Sequence, residues 1–221
     1  MQRDTIIFDL DGTLLDTLDD LTASVNYCMD KYGGPRHTRE EVREKVGNGI
    51  YVLIEKSLPG GRDNPSYKEC AGEFAPYYRK HMMDATRPYE GIGDLLAGLA
   101  GCGYRTAIVS NKFDAAVKEL KQHFFAGDIQ VAVGEAEADG IRKKPEPDMV
   151  FAAMKELEVA PKQCIYVGDS DVDIRTAANA GIPCICVTWG FKTRDFLKEH
   201  GAEEIVDSPE ELLEKILHFA D

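Results

Sequence analysis

Short runs of apolar residues alternate along most of the chain with segments whose apolar residues recur at helical spacing. The apolar runs are mostly continuous, as is typical of parallel β-strands covered on both faces. They predict strands at Thr5–Leu10, Tyr104–Ser110, Ile129–Gly134, Cys164–Asp169, Pro183–Thr188 and Glu204–Val206. Helices are predicted at Ile92–Cys102, Asp114–Phe124, Met149–Leu157, Asp173–Ala180 and Pro209–Phe219. This alternation predicts an α/β fold with a doubly wound, Rossmann-like parallel sheet.

The segment between the first two predicted strands has a different pattern, because it contains no good strand. Thr17 and Asp20 resemble a capping box, and Gly33-Gly34 is a typical helix end. Further helices are predicted at Arg39–Val46, Ile50–Leu58 and Ser66–Met83, the last of them kinked or broken by Pro76. We therefore expect a core formed by residues 1–15 and 86–221, with a small helical domain, residues 16–85, inserted into it.

Composition narrows the partners that this chain can have. Its 221 residues include 26 basic and 39 acidic ones, a net charge of −13. Such a surface repels nucleic acid and anionic lipid, so an anionic substrate needs a metal ion or a few well-placed cations. The six cysteines have neither CxxC nor zinc-site spacing, which favours reduced thiols. With no apolar run near ~18 residues and no leader pattern, we expect a cytoplasmic protein.

Polar residues follow several predicted strands, at the edge where parallel sheets carry their function. The candidate set is Asp9, Asp11, Ser110, Asn111, Asp169 and, from a loop, Lys144. Asp9 and Asp11 lie two residues apart, and close carboxylates need a cation or a shared proton. Magnesium prefers such oxygen ligands, and Asp169 can complete the site from a neighbouring strand.

Several of these positions have a second interpretation. Ser110, together with helix N-terminal N–H groups, suits a phosphate, or it is a simple N-cap. Lys144 is held extended by Pro145 and can neutralise both the carboxylates and a phosphoryl group, or it is a solvated surface lysine. Asp173 orients a metal-bound water or favours the start of the next helix. The loop of Gly47, Asn48 and Gly49 is a helix–helix turn or a flexible loop that touches substrate.

These motifs resemble, in order, the four motifs of the haloacid dehalogenase-like superfamily. The matching segments are Asp9–Asp16, Ser110-Asn111, Lys144-Pro145 and Gly168–Asp173. The helical insert is similar to that superfamily's helical type of cap. Finer features resemble the phosphoglycolate phosphatase branch: Val46–Gly49, Pro88–Gly91, Ser110–Ala115 and Val187–Gly190.

The resemblance implies a magnesium-dependent phosphatase that acts on a small phosphorylated metabolite, with 2-phosphoglycolate as the first substrate to test. It implies that Asp9 is the nucleophile and Asp11 the general acid and base. Mg²⁺ is then held by the Asp9 carboxylate, the Asp11 carbonyl and Asp169. The implied phosphate ligands are the N–H groups of Leu10 and Asp11 with Ser110, Asn111 and Lys144. Thr13 and Asp173 are supporting residues, and the loop Gly47–Gly49 contacts substrate.

Alternatives on the same core are an inorganic pyrophosphatase, a sugar phosphatase and a phosphomutase. Dehalogenases of the superfamily lack an acid at the position of Asp11, so this residue favours phosphoryl transfer. A non-enzymatic binding module is the alternative from another class, and the intact motif residues argue against it. We expect no nucleic-acid or membrane partner and a monomer or homodimer.

Overall fold

The computed structural model describes residues 3–137 and 140–219. They form two compact units, one made of residues 3–15, 88–137 and 140–219 and the other of Asp16–Arg87. The strands are β1 (Thr5–Phe8), β2 (Leu15–Asp16), β3 (Arg87–Pro88), β4 (Arg105–Phe113), β5 (Val131–Glu135), β6 (Cys164–Gly168), β7 (Cys184–Val187) and β8 (Glu204–Val206). The helices of the first unit are α5 (Ile92–Gly101), α6 (Asp114–Phe124), α7 (Asp148–Leu157), α8 (Asp171–Ala180), α9 (Arg194–Glu199) and α10 (Pro209–Phe219), and those of the second are α1 (Leu18–Tyr32), α2 (Arg39–Lys45), α3 (Ile50–Ser57) and α4 (Tyr67–His81).

Six strands form one sheet in the order β5-β4-β1-β6-β7-β8, and every pairing is parallel. The predicted α/β fold with a doubly wound parallel sheet is therefore confirmed. Strand β1 lies between β4 and β6, and Thr5 is in register with both Arg105 and Cys164. The chain order reverses at β1, so the carboxyl ends of β4, β1 and β6 lie side by side where such sheets bind ligands.

The sheet is buried because its strands are almost wholly apolar. All four residues of β1 and all five of β6 are buried. On one face, Ile7, Val109 and Tyr166 pack in a cluster with Met149 of α7 and Ala177 of α8. Coverage of this kind explains why continuous apolar runs, without polar alternation, predicted the six strands of this sheet, whereas the short pair β2–β3 was not predicted.

In the second unit, the helices begin and end close to the predicted positions, but their caps differ. Helix α1 ends at Gly33, which adopts the left-handed conformation with φ of 72°. Thr17 makes no side-chain cap hydrogen bond, so the capping-box prediction was wrong. The carboxylate of Asp20 instead accepts hydrogen bonds from the N–H groups of Ala85 and Thr86, far along the chain.

Pro76 lies inside α4 without breaking it, since the helix continues from Tyr67 to His81. A proline removes one backbone hydrogen bond, and packing can offset that loss. Phe74 and Tyr78 on either side of Pro76 are buried, which keeps the helix continuous. A further difference is α9, which the apolar pattern did not predict.

Within the part of the chain that the structure describes, every helix is too short or too polar to serve as a transmembrane span.

Candidate active site

Asp9 follows β1 directly and is held against the neighbouring strand, because its N–H donates to the Val167 carbonyl at 2.8 Å. The ammonium of Lys144, from the segment before α7, lies 2.7 Å from Asp9 Oδ1 and 2.8 Å from Asp173 Oδ1. All three side chains are buried. The structure thus brings together groups that are 135 residues apart in the chain.

A buried cluster of three carboxylates forms the centre of the site. Oxygens of Asp9, Asp169 and Asp173 lie within 4.8 Å of one another. Burial raises the pKa of Asp9 to about 7, although the Lys144 ammonium opposes this shift. Burial and the charges of Asp173 and Asp9 hold the pKa of Asp169 well above its usual range. The single charge of Lys144 is too small to keep all three carboxylates ionised. The cluster therefore fits a divalent cation that takes oxygen ligands.

Two glycines let the surrounding loops close tightly on Asp169. A Cβ on Gly12 would lie 2.5 Å from Asp169 Oδ2, and one on Gly190 would lie 2.2 Å from the Gly12 carbonyl oxygen. Asp169 Oδ2 accepts a hydrogen bond from the Phe191 N–H at 2.5 Å. Trp189 Nε1 donates to the Thr13 carbonyl at 3.0 Å, which joins the loop after β7 to the loop after β1. One Asp169 oxygen is therefore held in place by the backbone.

Lys144 stays protonated although it is buried. Burial lowers its pKa, but the charges of Asp173 and Asp9 outweigh this effect and hold the pKa well above its usual range. The Lys144 ammonium also donates to the Tyr166 hydroxyl at 3.2 Å, and that hydroxyl donates to Asp173 Oδ1 at 3.2 Å. Sequence reasoning missed Tyr166, because a tyrosine in an apolar strand gives no sign that its hydroxyl reaches a site.

The Asn111 side chain holds the Lys144 loop. Its Nδ2 donates to the Lys144 carbonyl at 3.1 Å, and its Oδ1 accepts from the Lys144 N–H at 2.8 Å. This two-point contact positions the lysine backbone as well as placing Asn111 at the site. A role of Asn111 in binding phosphate stays a prediction.

Ser110 lies within β4 and not at a helix start, since β4 continues to Phe113 and α6 begins at Asp114. The N-cap interpretation of Ser110 was therefore wrong. Its buried hydroxyl accepts a hydrogen bond from the Lys112 N–H at 3.2 Å. The strand extends because Phe113 pairs with Glu135 of β5, which the apolar pattern could not show.

Lys112 is a second buried cation that sequence reasoning did not single out. Its ammonium lies 3.0 Å from Asp11 Oδ1. The Asp11 carboxylate thus pairs with Lys112 and is not part of the carboxylate cluster of Asp9, Asp169 and Asp173. The available signal was the position of this lysine directly after Ser110-Asn111.

Asp173 combines two roles. Its Oδ2 accepts from the N–H and the hydroxyl of Ser170 at 3.1 and 2.6 Å, at the start of α8, while its Oδ1 faces Lys144. Both interactions are present at once, so capping and a place in the site are not alternatives. Orientation of a metal-bound water by Asp173 stays a prediction.

Three further positions complete the predicted set. The Thr13 hydroxyl is buried and has no hydrogen-bond partner within residues 3–137 and 140–219, which leaves an orphaned polar atom beside the site loops. Leu10 is buried, and its carbonyl accepts the N–H of Leu14 at 3.0 Å. The loop Gly47–Gly49 lies in the second unit between α2 and α3, with positive φ at both glycines. The predicted contacts of these residues with substrate stay predictions.

Comparison with known proteins identifies relatives over almost the whole chain. The model of the family described as "Haloacid dehalogenase-like hydrolase" matches residues 6–187. N-acetylmuramic acid 6-phosphate phosphatase of Pseudomonas aeruginosa is 30% identical, over 97% of this chain and 95% of the relative. Phosphoglycolate phosphatase of Pseudomonas putida is 32% identical, over 92% and 74%. A Lactobacillus delbrueckii crystal structure, assigned as a phosphoglycolate phosphatase, superposes with a TM-score of 0.92 and 36% identity, covering 98% and 99% of the two chains.

Proposed function

Since this chain belongs to the haloacid dehalogenase-like hydrolase family and is a phosphatase, we propose that it is magnesium-dependent and hydrolyses 2-phosphoglycolate through an aspartyl-phosphate. The observation that carries the proposal is the Asp9 carboxylate, buried and held 2.7 Å from the Lys144 ammonium. A carboxylate fixed beside a permanent cation can attack phosphorus while the cation balances charge on the phosphoryl oxygens.

The first step forms a bond between an Asp9 oxygen and phosphorus and breaks the bond from phosphorus to the ester oxygen. Asp11 gives its proton to that ester oxygen, so the product leaves as an alcohol. In the second step Asp11 takes a proton from water as the water oxygen attacks phosphorus. The bond to Asp9 then breaks, and inorganic phosphate is released.

The Asp9 and Asp169 carboxylates and the Asp11 carbonyl would hold Mg²⁺, which would supply positive charge to the phosphoryl oxygens. The cluster within 4.8 Å supports this assignment, because its buried acids exceed the charge of Lys144. Lys144 neutralises part of the negative charge of this cluster, because its ammonium also contacts Asp173. The N–H groups of Leu10 and Asp11 with the Ser110 hydroxyl complete the proposed phosphate cradle.

The inserted unit, Asp16–Arg87, is the proposed substrate-selecting cap. Its loop Gly47–Gly49 is the proposed contact with substrate. Positive φ values at Gly47 and Gly49 give this loop a backbone shape that other residues rarely adopt. Neither part of this assignment changes the chemistry at Asp9. A cytoplasmic location and a monomeric or homodimeric state complete the proposal.

A sugar phosphate is the second candidate substrate. The Pseudomonas aeruginosa relative named for N-acetylmuramic acid 6-phosphate matches this chain over 95% of its own length. Inorganic pyrophosphatase and phosphomutase activities use the same core residues and belong in the same comparison.

The proposal is tested by phosphate release from 2-phosphoglycolate with and without Mg²⁺. We expect a magnesium-dependent kcat/KM above about 10⁴ M⁻¹s⁻¹. A much lower value, with faster turnover of N-acetylmuramic acid 6-phosphate or pyrophosphate, rejects the named substrate. Conversion of a sugar phosphate without phosphate release identifies a mutase. Absence of magnesium-dependent turnover on every phosphoester overturns the proposed chemistry.

A further inference from the structure

We propose that Lys112 is a positioning residue for Asp11, holding its carboxyl group where it can exchange a proton with the leaving group. The inference rests on the proposed function, in which Asp11 is the general acid and base. Lys112 lies outside the four motifs, and its proposed role concerns only the proton transfer by Asp11.

The contact joins a buried ammonium to one oxygen of the Asp11 carboxyl group, Oδ1, so that Oδ2 remains the oxygen that can carry the proton. The Lys112 ammonium lies 3.0 Å from Asp11 Oδ1, with the lysine side chain 5% and the aspartate side chain 15% exposed. Exposed pairs exchange their partners with water and contribute little. A pair this enclosed keeps one geometry, since each group loses much of its hydration and depends on the other. The contact therefore restricts how the Asp11 carboxyl group can rotate.

Lys112 is itself presented by a rigid element. It lies in β4, and its N–H donates to the Ser110 hydroxyl at 3.2 Å. Gly134 of β5 packs so closely that a Cβ there would lie 2.7 Å from the Lys112 carbonyl oxygen. The register between β4 and β5 shifts between Val109 and Phe113, an irregularity of the kind that re-aims side chains next to active sites. The lysine is thus held by the sheet and not by a flexible loop.

The site divides its cations between its acids. Lys144 contacts Asp9 and Asp173, whereas Lys112 contacts Asp11. Neutralising Asp9 thus falls to one lysine, and fixing the proton-transfer group falls to the other. Removing Lys112 leaves the Asp9–Lys144 pair in place but frees the Asp11 carboxyl group to rotate. The expected defect is in protonation of the leaving group and not in attack on phosphorus.

This difference can be measured with substrates whose leaving groups need a proton to different degrees. For Lys112→Met, kcat/KM is measured on 2-phosphoglycolate, glycerol 2-phosphate and p-nitrophenyl phosphate. This parameter reports steps up to release of the first product, before the aspartyl-phosphate is hydrolysed. Alkoxides need the proton, whereas p-nitrophenolate is a stable anion and leaves without it. We expect a loss of about 100-fold on both alkyl phosphates and a loss at least ~10-fold smaller on p-nitrophenyl phosphate.

Matched variants separate positioning from folding. Lys118→Met removes an exposed lysine that pairs with Asp114 on α6, and it should leave all three kcat/KM values unchanged. Lys112→Arg keeps the cation and should recover part of the loss on the alkyl phosphates. Circular dichroism and thermal unfolding establish that each variant is folded. If Lys112→Met does not fold, Lys112→Gln undergoes the same comparison, because it removes the ammonium while its polar amide is easier to accommodate, and the loss is again expected to be larger on the alkyl phosphates.

Three results overturn the inference while leaving the proposed function intact. An equal loss on all three substrates assigns Lys112 to phosphate binding or to general stability. A loss confined to 2-phosphoglycolate means that the lysine binds the substrate's carboxylate. Unchanged values on every substrate mean that the contact has no part in the reaction. A wild-type enzyme that turns over none of the esters overturns the proposed function, and this inference with it.

Discussion

Asp9 is held by hydrogen bonds from two sides, through its N–H to Val167 and through its carboxylate to Lys144. Asp9→Asn keeps the size of the side chain but removes the nucleophilic oxygen anion. We expect turnover to be abolished while the fold is retained, as measured by phosphate release and thermal unfolding. Lys144 keeps Asp173 as a charged partner in this variant, which limits the loss of stability. Retention of a tenth of wild-type activity would contradict the covalent mechanism.

Asp169 is the residue whose loss should act mainly through the metal. Its carboxylate belongs to the buried cluster, and one oxygen is fixed by the Phe191 N–H. We expect Asp169→Ala to increase the Mg²⁺ concentration needed for half-maximal activity, measured by titrating the metal at saturating substrate. An unchanged metal requirement would remove Asp169 from the metal site.

Asp171→Ala is the matched control for that experiment. Asp171 lies two residues away at the start of α8, and its carboxylate pairs with the exposed Arg175. It is outside the cluster of Asp9, Asp169 and Asp173. Its substitution should leave the Mg²⁺ requirement where it is in the wild type.

At the scale of elements, Asp20 joins the first and last parts of the inserted unit. Its buried carboxylate on α1 accepts hydrogen bonds from the Ala85 N–H at 2.9 Å and from the N–H and hydroxyl of Thr86, both at 2.8 Å. Asp20→Asn removes the charge and part of the acceptor capacity, which leaves buried donors unpaired. We expect the free energy of unfolding to fall by about 1–3 kcal/mol, measured by denaturant titration.

Asp19→Asn gives the corresponding control on the same helix. Asp19 is partly exposed and pairs with Arg39 at 2.8 Å, a surface contact of the kind that contributes little. We expect a change within about 0.5 kcal/mol. Equal effects of the two substitutions would show that burial of Asp20 has no special importance.

At the scale of the whole molecule, acid stability depends on carboxylates that are held ionised. Hydrogen bonds from Lys31, Tyr32 and Tyr27 lower the pKa of Glu73 from 4.5 to about 2. Because the folded state binds this proton less readily than the unfolded state, the stabilisation is complete above pH 4.5. It is lost as the pH falls toward 2.

We therefore expect Glu73→Gln to lose less thermal stability than the wild type between pH 6 and pH 2.5, a window that begins above 4.5 and covers most of the fall toward the lowered pKa of about 2. At pH 6 the variant should be the less stable protein, because it lacks the ionised acceptor. Glu44→Gln, at an exposed position on α2, should follow the wild-type profile. Parallel melting curves for Glu73→Gln and the wild type across this range would contradict the assignment.

Net charge and the site are linked at this scale as well. A chain with a charge of −13 was expected to need a metal ion or a few placed cations to attract an anionic substrate. The structure supplies two buried ammonium groups, Lys144 and Lys112, each paired with acids of the site. Both ammonium groups are buried, so they interact with the carboxylates of the site and with the proposed phosphate cradle and not with acids at the protein surface.

The fold and the position of Asp9, Asp11 and Asp169 at one sheet edge could be predicted because both depend on short-range patterns. A strand covered on both faces must be apolar along its length, and a carboxylate that follows such a strand must lie at the sheet edge. The α/β architecture was predicted on this basis, whereas the family and the enzyme class were predicted from the resemblance of the four motifs, and all three are confirmed.

Contacts between distant segments depended on the tertiary structure. Lys112 and Tyr166 look like ordinary strand residues, and their roles follow from the side chains that neighbouring strands place against them. The end of β4, and with it the setting of Ser110, depended on the pairing of Phe113 with Glu135 of β5. Asp20 looked like part of a helix cap, yet it binds backbone 65 and 66 residues away. Local spacing cannot encode such choices, because the energy of a buried polar group depends on whichever partner the folded chain brings to it.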